Sequence, residues 1–229
     1  VYPFRRKPVL WQIDQWEVTM IRKILFVGSL LSCSAMAQVS EPDWPAVEEE
    51  TLRHFRALLQ FDTSDPPGRE LPAAEYLRDV LEAEGIEVEM LSNSPERPNV
   101  IARLKGDSSK EPLLIMAHTD VVNVDPEKWT FPPFSATVDG GYVYGRGAVD
   151  DKDNLASALM VMLELKRQNV PLARDVIFLA ESGEEGATEY GIEFLVEEHF
   201  DKINAEFCLA EGGVTPDGKS RTASPVGNH

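Results

Sequence analysis

Two short runs of apolar residues constrain the fold of this chain more than any other feature. Residues 112–117 contain four consecutive large apolar side chains, and residues 176–180 form a second such run. A strand without polar alternation is covered on both faces, as in the centre of a parallel sheet. A helical pattern over residues 154–167 separates the two runs. This alternation predicts an α/β fold with a mostly parallel central sheet.

The flanking segments fit the same architecture. Apolar residues at helical spacing predict helices over residues 46–61 and 72–84. Further strands are predicted over residues 86–91, 99–105 and 207–210. Cys208, in the last of these strands, is predicted to be a buried packing residue because it lies next to apolar Leu209.

The first 45 residues differ in pattern from the rest of the chain. Residues 1–19 show no clear period and are interpreted as upstream read-through. Residues 20–37 combine a basic start, a short apolar stretch and a small-x-small end, which is the pattern of a secretory signal peptide. A lipoprotein signal ending at Cys33 is the alternative. We therefore expect an exported protein, periplasmic or secreted, with a linker at residues 38–45.

The charge of the chain excludes some classes of partner. The 229 residues carry a formal net charge of −17. Nucleic acids and anionic membrane surfaces repel such a protein, so we expect neither as a partner. The apolar stretch within residues 20–37 is too short to span a bilayer as a stable anchor, so we expect no membrane span.

Carboxylates and one histidine follow the ends of the predicted strands. They are His118 and Asp120 after the first apolar run, Glu184 and Glu185 after the second, Glu211 after the last strand, and Asp150 before the helix at 154. Ligands of open α/β sheets gather at the carboxyl ends of strands, so these groups should meet at one edge. Carboxylates packed together repel one another unless a cation neutralises them. Imidazole with carboxylates suits zinc, and manganese or cobalt as lesser options.

The spacing within two of these motifs adds to the argument, although each motif alone also fits a turn or a helix cap. His118 and Asp120 are two residues apart in an extended segment, so their side chains point to the same side. Asp120 can therefore accept a hydrogen bond from one ring nitrogen while the other nitrogen binds a metal. Glu184 and Glu185 are adjacent and point differently, so one can bind metal while the other stays free as a base.

Five short motifs occur in order within residues 46–213: LLIMAHTDVV, WTFPPF, YGRGAVDDKDN, ESGEEG and AEGG. Together they resemble metallopeptidase family 20 of clan MH. That family includes glutamate carboxypeptidase, aminoacylase, acetylornithine deacetylase and succinyl-diaminopimelate desuccinylase. The resemblance implies a three-layer sandwich of the zinc-exopeptidase type, with residues 46–218 as the N-terminal part of the catalytic domain.

The resemblance also implies a metal centre with two zinc ions, for which cobalt or manganese could substitute. Asp150 would bridge the two ions, and His118 and Glu211 would complete the first. Glu185 would bind the second together with a histidine from a later part of the domain. A cis peptide between Asp150 and Asp151 is implied as well.

The catalytic roles implied by the resemblance fall on two residues. Glu184 would be the general base and acid, taking a proton from a metal-bound water and returning it to the leaving nitrogen. Asp120 would orient the metal-binding histidine. The leading hypothesis is a metallo-exopeptidase of the carboxypeptidase or dipeptidase type that acts on small peptides. The alternatives are an N-acyl amino-acid deacetylase or aminoacylase, and a non-catalytic, truncated metal-binding fragment.

The C-terminal end carries no signal for a helix or strand over residues 219–229. Family members have a smaller lid domain after the segment that AEGG matches, through which a homodimer could form. The chain is therefore interpreted as a truncated family member with an incomplete catalytic domain, an irregular tail and no lid. As given, it is expected to have little or no peptidase activity.

Overall fold

Helices and strands alternate along residues 41–211, the part of the protein that the computed structural model describes. The predicted read-through segment, signal peptide and C-terminal tail lie outside the described residues, as does Cys33. Over residues 41–211, no helix is both long enough and apolar enough to cross a membrane.

The helices begin close to where the sequence pattern places them. They are α1 (Trp44–Leu59), α2 (Leu71–Ala83), α3 (Lys152–Arg167), α4 (Ile192–Glu198) and α5 (Phe200–Ile203), with a 3-10 turn at Pro126–Lys128. Helix α1 starts two residues before the predicted position. The Asp43 carboxylate accepts a hydrogen bond from the Ala46 N–H there, and Pro45 occupies the first turn. Both features favour a helix start.

Nine strands form three sheets within the described residues. The strands are β1 (Ser64–Asp65), β2 (Val88–Leu91), β3 (Asn99–Leu104), β4 (Leu113–His118), β5 (Val121–Val122), β6 (Thr137–Asp139), β7 (Tyr142–Tyr144), β8 (Val176–Glu181) and β9 (Phe207–Leu209). The main sheet has the order β2-β3-β8-β4-β9. Two small sheets pair β1 with β5 and β6 with β7.

Within the described residues, four of the five strands of the main sheet run in the same direction, which confirms the mostly parallel sheet expected from the sequence. Strand β4 pairs in parallel with β8 and β9, but β3 pairs antiparallel with both β2 and β8. Strand β3 is the one reversed strand in the described part of this sheet, although it is buried on both faces like a parallel strand. Its apolar run therefore carries no sign of its direction.

Helices cover both faces of this sheet, so the α/β class and the three-layer arrangement are confirmed. On one face, Phe178 of β8 packs in a core with Leu77 of α2 and Leu159 of α3. On the other, Ile177 of β8 packs in a core with Leu195 of α4. Neighbouring side chains of β8 thus pack in two different cores, because successive side chains of a strand point to opposite faces of the sheet.

Strand β9 lies at the edge of the sheet and pairs only with β4 within the described residues. Phe207, Cys208 and Leu209 are all exposed. The expectation that Cys208 is buried is therefore wrong, because a strand at a sheet edge lacks the covering that an interior strand receives.

Candidate metal centre

Four segments bring carboxylates to the carboxyl end of β4. His118 is the last residue of this strand and is buried, with 1% of its surface exposed. Its Nε2 atom lies 3.0 Å from Asp150 Oδ1, 3.9 Å from Glu184 Oε2 and 3.9 Å from Glu211 Oε1. The side chains of these three carboxylates remain partly exposed, so the buried imidazole faces an open ring of acidic groups.

Two groups of side chains could each hold a metal ion. One consists of His118, Glu184 and Glu211, and the other of His118, Asp150 and Glu185. Within each group the ligand atoms lie within 4.8 Å of one another. Every metal ligand expected from the sequence therefore belongs to one group or the other. The donor set, imidazole nitrogen with carboxylate oxygens, suits zinc and related divalent ions.

The grouping differs in one respect from the roles that the family resemblance implies. His118, rather than Asp150, belongs to both groups, and Glu184 lies close enough to be a ligand. Expected metal ligands and expected base thus converge within a few ångströms. Their individual roles stay predictions.

Asp120 connects the histidine to the segment that carries the two glutamates. The Nδ1 atom of His118 lies 2.9 Å from the backbone oxygen of Asp120 and 3.4 Å from its carboxylate Oδ1. The same carboxylate accepts hydrogen bonds from the backbone N–H groups of Glu184, at 3.1 Å, and Glu185, at 3.0 Å. One buried carboxylate thus fixes both the imidazole and the Glu184–Glu185 backbone. The sequence motif suggests only the first of these contacts.

The two residues that follow Asp150 hold its turn in place through hydrogen bonds of their buried side chains. A cis peptide joins Asp150 to Asp151, as the resemblance implies. The buried Asp151 carboxylate accepts a hydrogen bond from the His118 backbone N–H at 3.2 Å. Next along the chain, the fully buried Lys152 donates from Nζ to the backbone oxygens of Leu58, at 3.0 Å, and Phe61, at 2.8 Å. The start of α3 is thereby tied to the end of α1.

The electrostatics of the site favour a bound cation. Burial alone would lower the pKa of His118, but the hydrogen bond and charge of Asp120, with Asp151 and Asp150, raise it to about 10. Burial and the neighbouring carboxylates raise the pKa of Glu211 to about 7. Without a metal, the carboxylates therefore hold a proton on the imidazole and raise the pKa values of their neighbours. A divalent ion would remove this repulsion.

Glu181 is a site residue that the motif analysis missed. It ends β8, lies opposite His118 in the parallel register, and has 3% of its surface exposed. Burial and the charges of Glu184, Asp120 and Glu211 raise the pKa of its carboxyl to about 7, although His118 opposes this. The available signal was its place at the end of an apolar run, in the segment that also carries Glu184.

Arg97 forms buried ion pairs with two carboxylates. Arg97 donates to Asp65 Oδ2 at 2.7 Å and to Glu70 Oε1 at 2.7 Å, and its guanidinium lies 4.6 Å from the centre of the Tyr190 ring. Its backbone oxygen accepts a hydrogen bond from the Ser182 hydroxyl at 2.9 Å. Arg97 therefore joins the loop after α1 to the segment that begins just past Glu181.

Comparison with known proteins supports the family resemblance. Residues 114–224 match the model of peptidase family M20/M25/M40. This part of the chain is therefore similar to that family. The matched region contains all six residues singled out from the sequence, and the resemblance noted from the five motifs is confirmed.

Relatives of several kinds share this similarity. The chain is 40% identical over 142 residues to the N-formyl-4-amino-5-aminomethyl-2-methylpyrimidine deformylase of Halalkalibacterium halodurans, covering 60% of this chain and 33% of that protein. It is 32% identical over 154 residues to a probable succinyl-diaminopimelate desuccinylase of Staphylococcus epidermidis, covering 67% of this chain and 37% of the relative. The chain thus spans about a third of the length of these relatives.

Solved structures show the same fold. An M20 family metallo-carboxypeptidase from Sulfolobus solfataricus superposes with a TM-score of 0.63 at 29% identity, over 74% of this chain and 39% of that one. Human carnosine dipeptidase 1 superposes with a TM-score of 0.62 at 20% identity, over 75% and 40% of the two chains. The second similarity shows the fold alone.

Proposed function

We propose that the protein is a zinc-dependent metallo-exopeptidase of the carboxypeptidase or dipeptidase type that hydrolyses a peptide amide bond. The observation that supports this most directly is the buried His118 Nε2, which faces carboxylates from three other segments. The four expected ligands lie within these two groups, and this supports the two zinc ions that the family resemblance implies, with cobalt or manganese as substitutes. The signal pattern in residues 20–37 supports export to the periplasm or the medium.

A second candidate function is the hydrolysis of N-acyl amino acids or related amides. Two relatives favour it, since one is named a deformylase and the other a probable desuccinylase. Both candidate functions cleave an amide and would use the same residues of this chain, so they differ only in the substrate groups that the protein binds.

Glu184 and Asp120 have different roles in the proposed reaction. When bound, zinc lowers the pKa of a coordinated water and polarises the scissile carbonyl. Glu184 has a side chain that is 42% exposed and lies beside His118, so it can accept a proton from the attacking water. It can then return that proton to the leaving nitrogen. The Asp120 carboxylate accepts a hydrogen bond from the Glu184 backbone N–H and so keeps Glu184 in place. The backbone oxygen of Asp120 lies next to His118 Nδ1 and orients the imidazole ring.

Two substitutions, made in the full-length protein, test this assignment. Glu184→Gln should keep metal binding but lower turnover by about two to four orders of magnitude, because an amide cannot take the proton. Asp150→Ala should instead weaken metal binding. Glu197→Gln is the matched control, since Glu197 is an exposed glutamate on α4. Zinc titration calorimetry measures binding, and hydrolysis of alanyl-alanine and N-acetyl-alanine measures turnover.

Each result discriminates between hypotheses. Hydrolysis of the dipeptide alone supports an exopeptidase, and hydrolysis of the acylated amino acid alone supports a deacylase. Zinc binding without hydrolysis of either substrate favours a non-catalytic metal-binding module. Wild-type turnover in Glu184→Gln would show that another residue is the base.

A further inference from the structure

One buried side chain joins the two ends of the loop that carries the adjacent glutamates of the site. Asn99 is the first residue of β3 and is fully buried. Its Oδ1 atom accepts a hydrogen bond from the Ser182 N–H at 3.1 Å, and its Nδ2 group donates to the backbone oxygen of Tyr190 at 2.8 Å. One carboxamide thus closes residues 182–190 into a loop, which we call the glutamate loop.

The glutamate loop depends on contacts with other segments for its conformation. It consists of turns and bends and contains no helix or strand. A segment with so little regular structure opens easily unless outside contacts hold it. In the middle of the loop, the Asp120 carboxylate accepts hydrogen bonds from the N–H groups of Glu184 and Glu185. Asn99 provides the corresponding contacts at the two ends.

The ends of the loop lie directly against each other. A Cβ added at Gly191 would collide with the backbone oxygen of Ser182, so the two backbones leave no room for a side chain between them. Asn99 Nδ2 also donates to the backbone oxygen of Leu91 at 3.2 Å. Both amide hydrogens and the carbonyl oxygen of Asn99 are therefore used. An aspartate of the same size has no hydrogen to donate, so packing alone does not account for an asparagine here.

We propose that Asn99 is a positioning residue that holds the glutamate loop so that Glu184 and Glu185 face His118. The inference rests on the proposed function, because it gives Asn99 a part in the reaction through these two glutamates. Asn99 belongs to neither candidate ion group, so it acts through the loop and not on an ion. A misplacement of about 1 Å at a reaction centre can cost about 100-fold in rate, so a loosened loop should have a large effect.

Asn99→Asp in the full-length protein tests the proposal. The substitution keeps the size of the side chain and the acceptor for the Ser182 N–H, but it removes both donors. At saturating zinc, kcat on alanyl-alanine or N-acetyl-alanine should fall by about 10–100-fold while KM changes little. Zinc affinity in calorimetry should fall by about tenfold or more, because supporting contacts orient metal ligands.

The matched control is Asn93→Asp. Asn93 is exposed and donates to the backbone oxygen of Glu189 in the same loop at 2.7 Å. This contact lies at the surface and does not join the two ends of the loop. The control should therefore leave kcat and zinc affinity nearly unchanged.

Hydrogen exchange separates positioning from a general loss of stability. Mass spectrometry of the metal-free, full-length protein compares peptides of the glutamate loop with peptides of β4 and β8. In Asn99→Asp the loop should exchange about tenfold faster or more, whereas the two strands should keep their wild-type rates. Gly191→Ala forces the same loop ends apart with Asn99 intact and should give the same pattern. It decides the question if Asn99→Asp does not fold.

The outcomes separate this inference from the proposed function. Faster exchange in the loop together with a lower kcat supports the proposal. Unchanged kcat, wild-type exchange in the loop, or exchange that rises equally in the loop and the strands would each overturn it. The exchange measurement needs neither zinc nor substrate. If the wild-type protein binds no zinc and hydrolyses neither substrate, the proposed function fails, and faster loop exchange still shows that Asn99 holds the loop.

Discussion

Replacing Arg97 by methionine should destabilise the protein strongly, because it leaves two buried carboxylates without their cation. Glu70 is fully buried, and the Asp65 side chain has only 8% of its surface exposed. Arg97 donates to Glu70 from Nε and from Nη2, and to Asp65 from Nη2. Methionine fills much of the same volume but can donate no hydrogen bond.

The expected loss in the free energy of unfolding is about 3–5 kcal/mol, the usual cost of removing one partner of a buried ion pair. It should depend on pH. Burial raises the pKa of Glu70 even though Arg97 opposes this, so losing Arg97 raises that pKa further. A carboxyl with a raised folded-state pKa favours the folded state at low pH, and this contribution is lost as pH rises from the unfolded to the folded pKa. The loss should therefore be larger at about pH 8 than at about pH 5.

Urea unfolding followed by circular dichroism measures both effects. The control is Arg78→Met, which breaks a solvent-exposed pair with Asp79 and should change stability little at either pH. Adding Glu70→Gln to Arg97→Met should restore part of the loss, since the amide carries no charge to bury. Equal stabilities of the two arginine variants at both pH values would refute the account of Arg97 as a buried cation.

Three further outcomes are expected. Gly183→Ala should weaken zinc binding in calorimetry, because the φ of Gly183 is +77° and an added Cβ would collide with the Ala187 carbonyl oxygen. The control Gly85→Ala, at φ +69° with open space around the added Cβ, should leave zinc binding unchanged. Asp120→Asn should lower zinc affinity by about 10–100-fold, because its amide nitrogen cannot accept a backbone N–H; unchanged affinity would contradict its orienting role. Zinc affinity should rise with pH up to about 10 and binding should release a proton, since His118 holds one until then; a flat pH profile would exclude His118 as a ligand.

Much of the fold and the site is encoded locally in the sequence. Strand β8 is fully buried and strand β4 is partly buried, because the runs that form them consist almost entirely of apolar side chains. The strand–helix–strand order predicts that these two strands are parallel and close, so His118 and Glu184, which follow their ends, are expected at one edge. These inferences need only periodicity, strand ends and short motifs.

Contacts between distant segments were decided by the tertiary structure. The antiparallel direction of β3, the edge position of β9 and the register that sets Glu181 opposite His118 depend on which strands pair. The hydrogen bonds from the Glu184 and Glu185 backbones to Asp120 span more than 60 residues of sequence. Local periodicity reports which face of a strand is apolar. It carries no information on the partner, direction or register, because those are fixed by how the whole chain packs.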